Sequence, residues 1–116
     1  ANNNNLKAKL IDAFEKKQIY LKENLTIWDL CREINSNRTY VSNLINHEFK
    51  MNFNTFVNKY RIEKAKELLY DEKSNEIKLL NIATKSGFSS LASFNRAFQK
   101  YENRSPSSFR KTSLYV

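Results

Sequence analysis

The chain has 116 residues, a formal net charge of +8 and a pI of about 9.6, which fits one domain or two small ones sharing a core. A single glycine and a single proline disfavour an all-β fold built on tight turns and favour helices. A lone cysteine, Cys31, excludes an internal disulfide framework and Cys-x-x-Cys metal clusters, and no apolar run is long enough for a bilayer. We therefore expect a cytoplasmic all-α protein with no metal, no cofactor and no membrane contact, and its positive charge points to a polyanionic partner.

The first third of the chain predicts one amphipathic helix followed by a helical pair. After a polar stretch over 1–5, which we expect to be disordered or a cloning remnant, apolar residues recur at helical spacing over about 6–18. Apolar residues of the connector 19–25 are expected to plug the core. Thr26 can cap a helix that starts at Ile27. Trp28, Leu30, Cys31 and Ile34 are expected on or near its inward face.

The second helix of this pair follows a tight turn. Asn35 is suited to positive φ, and Asn37 can cap a helix over about 38–49. This helix is expected to bury Val41, Leu44 and Ile45. Its open face is expected to expose Arg38, Thr39, Ser42, Asn43 and Asn46.

The rest of the chain predicts a long helix and a second helical pair. Apolar residues from Phe53 to Leu69 repeat every three or four positions and predict a helix over about 53–71, with Arg61 inside the apolar stripe, followed by a polar loop over 71–76. Leu79, Ile82 and Ala83 mark the next helix and Gly87 its turn. Ser89 or Ser90 can cap a helix over about 90–101 that buries Phe94, Ala97 and Phe98. Pro106 suits the first turn of a last helix through Arg110.

The two helical pairs repeat one pattern. The offset between them is 52 residues before the turn and 53 after it. A helix-turn-helix needs a small residue where its helices meet, a positive-φ residue in the turn, and a second helix with only one apolar face. Cys31 and Ala83 are the small residues, and Asn35 and Gly87 are the turn residues. All three correspondences occur twice, so we interpret each pair as a helix-turn-helix.

Charge is concentrated around the second pair. Residues 77–116 hold seven basic side chains and one acidic one, whereas residues 1–76 hold thirteen basic and eleven acidic ones. Two stretches, 34–47 and 77–101, contain no acid at all. They contain the second halves of the two repeats, where a surface facing DNA has to avoid repelling phosphates.

The outward side chains of these helices suit DNA recognition. Arg96 can make a bidentate contact to guanine, and Asn43, Asn46 and Asn95 can pair with adenine edges. Leu91 and Ala92 can touch thymine methyl groups. The hydroxyls of Thr39, Ser42 and Ser90 can contact bases or phosphates, and Arg38 is suited to phosphate or guanine. The complete set of predicted DNA-binding residues is Arg38, Thr39, Ser42, Asn43, Asn46, Ser90, Leu91, Ala92, Asn95, Arg96 and Lys100.

At these positions the sequence resembles the AraC/XylS family of bacterial transcription regulators. The resemblance covers about 6–110, and its most specific part is Ile82-Ala83, Gly87-Phe88, Phe94, Arg96, Phe98, Ser105-Pro106 and Phe109-Arg110. It implies seven helices in a homeodomain-like arrangement of two helix-turn-helix subdomains, 6–50 and 73–116, joined by a linker helix, 51–72. It also implies that Thr39, Ser42 and Asn43, and then Leu91, Ala92, Asn95 and Arg96, face bases.

The sequence departs from the family pattern at four positions. Lys50 and Asn103 stand where a glycine usually follows each recognition helix. Asn35 replaces glycine in the first turn, and Lys78 stands where a capping serine or threonine is usual.

The functional prediction is binding of double-stranded DNA by two recognition helices in successive major grooves. Such grooves lie about 34 Å apart on one face of the duplex, and a linker helix of about 18 residues spans about 27 Å. The expected partners are DNA, RNA polymerase and an upstream sensor or dimerisation domain absent from this chain. The alternatives are a helical protein-interaction module with an incidental basic surface and an enzyme using Cys31 and His47. Cys31 fits a small core residue better, so we expect no enzyme.

Overall fold

A computed structural model describes residues 3–71 and 77–113, and within them the chain forms seven α-helices, one 3-10 turn and no strand. The helices are α1 (Asn3–Glu15), α2 (Ile27–Glu33), α3 (Arg38–Glu48), α4 (Phe53–Tyr70), α5 (Leu79–Lys85), α6 (Leu91–Glu102) and α7 (Pro106–Ser113), and the 3-10 turn is Ile19–Leu21. The all-α prediction is therefore confirmed. No helix in the described ranges is long and apolar enough to cross a membrane.

The observed helix bounds differ from the predicted ones mainly at the two ends of the chain. The helix predicted over 6–18 begins at Asn3 and ends at Glu15, so residues 3–5 are helical although we expected disorder there. Asparagine favours helix starts over helix interiors, which accommodates it at this position. The last helix continues to Ser113 instead of ending at Arg110. Residues 1–2 and most of the predicted loop, 72–76, lie outside the described residues.

The chain divides into two compact units, residues 1–57 and residues 58–116. In the first unit, α1, α2, α3 and the first residues of α4 bury one core. Phe14 of α1 and Phe56 of α4 meet edge to face with ring centroids 4.8 Å apart. α2 packs on α3, and both Cys31 and the predicted inward face of α3, which consists of Val41, Leu44 and Ile45, are buried.

The second unit builds its own core from the remainder of α4 together with α5, α6 and α7. Phe98 is fully buried and packs edge to face against Phe109 of α7, at 5.4 Å between centroids. Ala83 of α5 is fully buried where α5 packs on α6, as its small size predicts. The cluster consists of Ile62, Ala65, Leu69, Ile82, Ala83, Phe88, Phe94, Ala97, Phe98 and Phe109.

Trp28 lies near the inward face of α2 and not on it. We expected it on or near that face, and 57% of its surface is exposed. The inward stripe of α2 starts one residue earlier, at Ile27, and continues through Leu30, Cys31 and Ile34 with spacings of three and four. Trp28 lies beside this stripe, because the i, i+3, i+4, i+7 pattern counted from Ile27 leaves position 28 on the flank.

The connector between α1 and α2 contributes less to the core than predicted. Tyr20 is buried and stacks on Phe14 at 6.3 Å between ring centroids, whereas Leu21 is exposed. Ile19 and Leu25 are half-buried. A single aromatic ring therefore plugs the core at this point.

Candidate nucleic-acid interface

The turn between α2 and α3 and the turn between α5 and α6 have the same hydrogen bonds. In the first, Ser36 N donates to Cys31 O at 2.9 Å and Asn35 N donates to Arg32 O at 3.4 Å. In the second, the equivalent bonds run from Phe88 N to Ala83 O at 3.0 Å and from Gly87 N to Thr84 O at 3.1 Å. Both are Schellman motifs, which end a helix with one residue in the left-handed region.

The residue in the left-handed region is the one predicted in each turn. The φ angle is 53° at Asn35 and 100° at Gly87. Glycine adopts such angles without steric cost, and asparagine tolerates the left-handed region better than most residues. The two helix-turn-helix predictions are therefore confirmed at the level of backbone geometry.

A capping side chain starts each second helix. Asn37 Oδ1 accepts from Tyr40 N at 3.0 Å, and Ser90 Oγ accepts from Ser93 N at 3.1 Å. The hydrogen-bonded turn residues Ser36 and Phe88 are 52 apart, whereas the two caps are 53 apart. The additional residue of the second copy is therefore Ser89, which lies between Phe88 and the cap.

The departures from the family pattern have structural outcomes. Lys50, after α3, has φ 58°, and Asn103, after α6, has φ 59°, so both residues adopt the conformation that glycine favours. Lys78 is the N-cap of α5 and its side chain makes no capping hydrogen bond. α5 nevertheless forms without a side-chain cap and begins at Leu79.

α3 presents its predicted polar face to solvent. Arg38, Thr39, Asn43 and Asn46 are exposed and Ser42 is half-buried, while the apolar residues on the other side are buried. Tyr40 is also exposed on one flank of this face, although it is not among the predicted DNA-binding residues. Its place at the third position of a capped helix, outside the apolar stripe, could have predicted this exposure.

α6 has the same division between a buried face and an exposed face. All six residues predicted on or next to this helix are exposed, namely Ser90, Leu91, Ala92, Asn95, Arg96 and Lys100. Gln99 is exposed too, one turn beyond Asn95 and Arg96, and it was missed. Its spacing of three and four from these residues could have identified it.

Each unit carries a groove that brings together some of the predicted residues. In the first unit, Arg38, Ser42 and Asn46 line a groove with Trp28 of α2, and with Asn52 and Asn54 at the start of α4. In the second unit, Asn95, Arg96 and Lys100 line a groove with Gln99, and with Ser105 and Ser107 at the start of α7. Neither groove includes Thr39, Asn43, Ser90, Leu91 or Ala92, which lie elsewhere on the exposed faces.

Acidic side chains near these helices are engaged by neighbours. Asp29 accepts from Thr26 N at 2.9 Å, while the Thr26 hydroxyl accepts from Asp29 N, forming a capping box. The backbone N–H of Thr26 is the main reason that the pKa of the Asp29 carboxyl is lowered, and Lys22 adds to the effect. At the end of α6, Glu102 pairs with Lys66 at 2.8 Å. These two carboxylates are therefore matched by cations within their own units.

Several cations of the second unit serve the fold. Arg110 Nη2 donates to the carbonyl oxygen of Ile77 at 2.7 Å, and burial lowers the pKa of its guanidinium. Arg104 lies over the ring of Phe109, at 4.7 Å from its centroid. Arg61 is 9% exposed and lies 5.7 Å from the centroid of Phe88. The positive charge counted in residues 77–116 is thus only partly carried by side chains of the open helix face.

The structure also places the two residues of the enzymatic alternative. Cys31 is 6% exposed, and burial raises the pKa of its thiol. His47 is exposed on α3 and its Nδ1 lies 2.8 Å from the carbonyl oxygen of Asn43. A buried thiol with a raised pKa is a poor nucleophile, which agrees with a packing role for Cys31. Among the residues described, no group of three or more His, Cys, Asp or Glu could hold a metal ion.

Comparison with known proteins identifies similar sequences and structures. Residues 30–112 match a family model described as a helix-turn-helix domain. The chain is 34% identical, over 93% of its length, to the raffinose operon transcriptional regulatory protein RafR of Pediococcus pentosaceus, and it covers 39% of that protein. It covers as little as 12% of other curated relatives, so it spans well under half of their lengths.

Two solved structures have closely similar folds. The C-terminal domain of the two-component response regulator yesN from Fusobacterium nucleatum superposes with a TM-score of 0.78 at 27% identity, over 91% of this chain and 98% of that domain. The C-terminal domain of the response regulator AraT from Geobacillus stearothermophilus also gives 0.78 at 27% identity, over 93% of this chain and 84% of the other.

Proposed function

Because the chain belongs to the AraC/XylS family of helix-turn-helix transcription regulators, which is a DNA-binding family and not an enzyme family, we propose that α3 and α6 read the base sequence of successive major grooves. One observation supports this most strongly. Each of these helices follows the same Schellman turn, buries its apolar face and exposes a polar face that carries no acidic residue before the glutamate at the end of the helix. That combination suits a helix whose open side approaches phosphates and base edges.

The proposed contacts differ between the two helices. On α6, Arg96 and Asn95 read base edges, Leu91 and Ala92 contact thymine methyl groups, and Lys100 binds phosphate. On α3, Asn43 is the main base-reading residue. The other residues of α3 that contact DNA are Arg38, Thr39, Ser42 and Asn46, and Ser90 does so from the cap of α6.

The chain is proposed to be the DNA-binding part of a longer cytoplasmic regulator. It covers 39% of RafR, and the two similar solved structures are C-terminal domains of response regulators. A sensor or dimerisation domain is therefore proposed to control it, from the same polypeptide or from another. RNA polymerase is the proposed partner through which binding changes transcription.

Selection from a random-sequence duplex pool tests the proposal. Bound duplexes are recovered over several rounds and sequenced, and the Asn95→Ala/Arg96→Ala variant is selected in parallel. We expect a preferred site with two conserved segments whose centres lie about 10 base pairs apart, because each helix reads one groove. The variant should lose preference in one segment and keep it in the other.

Two results would contradict the proposal. A pool with no enriched sequence would exclude sequence-specific binding and would favour the protein-interaction alternative, which predicts no salt-sensitive affinity for DNA. An enriched site no longer than one helical turn would mean that only one of the two helices reads bases.

A further inference from the structure

Trp28 and Arg38 form a pair at the edge of α3. Trp28 is the only tryptophan of the chain and is exposed, and the guanidinium carbon of Arg38 lies 5.8 Å from the centroid of its ring. A guanidinium within about 6 Å of an indole face is attracted to the ring quadrupole. The indole therefore restricts the positions that the Arg38 side chain samples.

The neighbouring carboxylate does not compete for Arg38. Asp29 adjoins Trp28 in sequence, but its oxygens are used by Thr26 N, by Lys22 Nζ at 3.3 Å and by Arg32. Within residues 3–71 and 77–113, Arg38 takes part in no ion pair with a carboxylate. The charge of Arg38 is thus held in place by a neutral ring and remains available to an anion.

The groove beside this pair has the chemistry of a docking site for one DNA strand. Its walls hold the guanidinium of Arg38, the hydroxyl of Ser42 and the side-chain amides of Asn46, Asn52 and Asn54, and they hold no acidic side chain. A guanidinium binds phosphate, and neutral amides donate to phosphate or sugar oxygens.

We propose that Trp28 is a positioning residue that holds Arg38 ready for a backbone phosphate of the duplex read by α3. The inference rests on the proposed function and adds to it a residue outside the recognition helix. Ordering a long side chain before binding lowers the entropy cost of binding, so Trp28 contributes to affinity through Arg38. It is not expected to change which bases are preferred, since phosphate contacts carry no sequence information directly.

The first measurement uses Trp28 as its own reporter. Because the chain has one tryptophan, its emission reports on this site alone. We expect emission to change when a duplex selected by the wild-type protein is added. We also expect Arg38→Ala to change the emission of the free protein, because the cation over the ring is removed.

The second measurement is a double-mutant cycle on affinity for the same duplex. Trp28→Ala should weaken binding about two- to fivefold, the size expected for an exposed cation–π pair, and Trp28→Phe should recover most of the loss. Arg38→Ala should lower the slope of log K against log salt by about 0.9, which corresponds to one phosphate contact. Adding Trp28→Ala to Arg38→Ala should cause no further loss.

The Tyr70→Ala variant is the control for loss of an exposed ring. Tyr70 is about as exposed as Trp28 but lies at the end of α4, in the other unit, and its removal should leave affinity unchanged. Unchanged thermal unfolding of Trp28→Ala would separate a positioning role from a structural one.

The outcomes distinguish this inference from the proposed function. Wild-type protein that binds no duplex would overturn the proposed function, and this inference with it. Wild-type binding combined with an unaffected Trp28→Ala would overturn the inference alone. So would a Trp28→Ala loss that persists in full in the Arg38→Ala background.

Discussion

Three arginines of the second unit make contacts within the fold, whereas a fourth is exposed. Arg110 bonds the carbonyl oxygen of Ile77, Arg104 lies over Phe109, and Arg61 is buried in the unit's core. Arg96 differs because it is exposed on the open face of α6. A guanidinium that does not support the core can meet a base edge without a cost to folding.

Arg96→Ala is expected to lose about 1–3 kcal/mol of binding free energy for the selected duplex and to relax the preference at one base position, since a bidentate contact to guanine is removed. Arg96→Lys keeps the charge but not the fork of donors, so it should lose the preference and retain part of the affinity. Both quantities follow from titrations against duplexes that differ at single base pairs. An equal loss on every duplex would show that Arg96 contacts only phosphate.

Lys66 and Glu102 give the second unit a pH-dependent contribution to stability. The carboxylate of Glu102, at 2.8 Å, is the main cause of the raised pKa of Lys66. A raised lysine pKa in the folded state adds stability that is complete below the unfolded value of about 10.4, and that is lost as pH rises through the folded value. The stability difference between wild type and Glu102→Gln should therefore be constant near neutral pH and shrink above about 10.4.

Urea unfolding across this pH range measures the difference. Glu67→Gln is the matched control, because the Glu67 side chain is 72% exposed and its Oε2 lies 3.9 Å from Lys64 Nζ. An exposed pair of this kind contributes little, so the control should show no such pH dependence. A Glu102→Gln difference that grows at high pH would contradict the assignment.

Residue-level prediction from sequence succeeded where one local rule decides the outcome. Caps, turn residues and the inward faces of α3 and α6 follow from side-chain chemistry and helical period alone. For Trp28 the sequence did not decide between a position on the inward face and one near it, because two overlapping stripes fit a seven-residue helix. Its pairing with Arg38 depends on how α2 packs against α3, which helical periodicity does not report.

At the scale of elements, each recognition helix is bounded by two local devices. A side-chain cap begins it and a left-handed residue follows it. Lys50 is the unusual case, since a side chain with a β-carbon in the left-handed region costs roughly 1–2 kcal/mol. The strained angle at Lys50, directly after α3, therefore lowers the stability of the first unit.

Lys50→Gly is therefore expected to stabilise the chain by about 0.5–1 kcal/mol, after the larger loss of chain entropy for glycine is subtracted. Lys50→Ala is the control, because it removes the same charge but keeps the strained angle, and it should bring no gain. Asn103→Gly should gain less than Lys50→Gly, since asparagine tolerates this region. Urea unfolding followed by circular dichroism measures all three, and equal effects of glycine and alanine at position 50 would argue against strain.

Helix existence and type were predictable because hydrophobic period, caps and breakers agree along most of the chain. The ends of α1 and α7 were less predictable, since few apolar residues mark them. The choice between Ser89 and Ser90 as cap was also open, because both are serines. In the structure Ser90 is the cap, because Phe88 is still hydrogen-bonded in the Schellman turn and Ser89 is the linking residue before α6.

At the scale of the whole molecule, the net charge of +8 leads us to expect DNA binding that weakens as salt is added. Binding releases counterions from DNA in proportion to the phosphates that are neutralised. A protein with about six to ten such contacts loses about 10³ to 10⁵ of its affinity between roughly 50 and 200 mM salt. We expect this chain to fall within or just below that range, because part of its charge lies on structural cations.

Lys100→Ala should lower the salt slope by about 0.9 if Lys100 contacts one phosphate. Lys16→Ala removes the same charge from a residue just after α1, whose side chain is 83% exposed and paired with Asp12, so it serves as the control. Its slope should match that of the wild type. If both variants change the slope equally, net charge and not a contact at α6 determines the salt response.

The division of α6 into a core face and an exposed face has an evolutionary consequence. Phe94, Ala97 and Phe98 hold the unit together, whereas Asn95 and Arg96 lie between them in sequence and outside the core in space. If Asn95 and Arg96 read bases as proposed, operator preference and folding stability are encoded in neighbouring residues of one short segment. After gene duplication, a copy can acquire a new operator through a few surface substitutions and keep its fold unchanged.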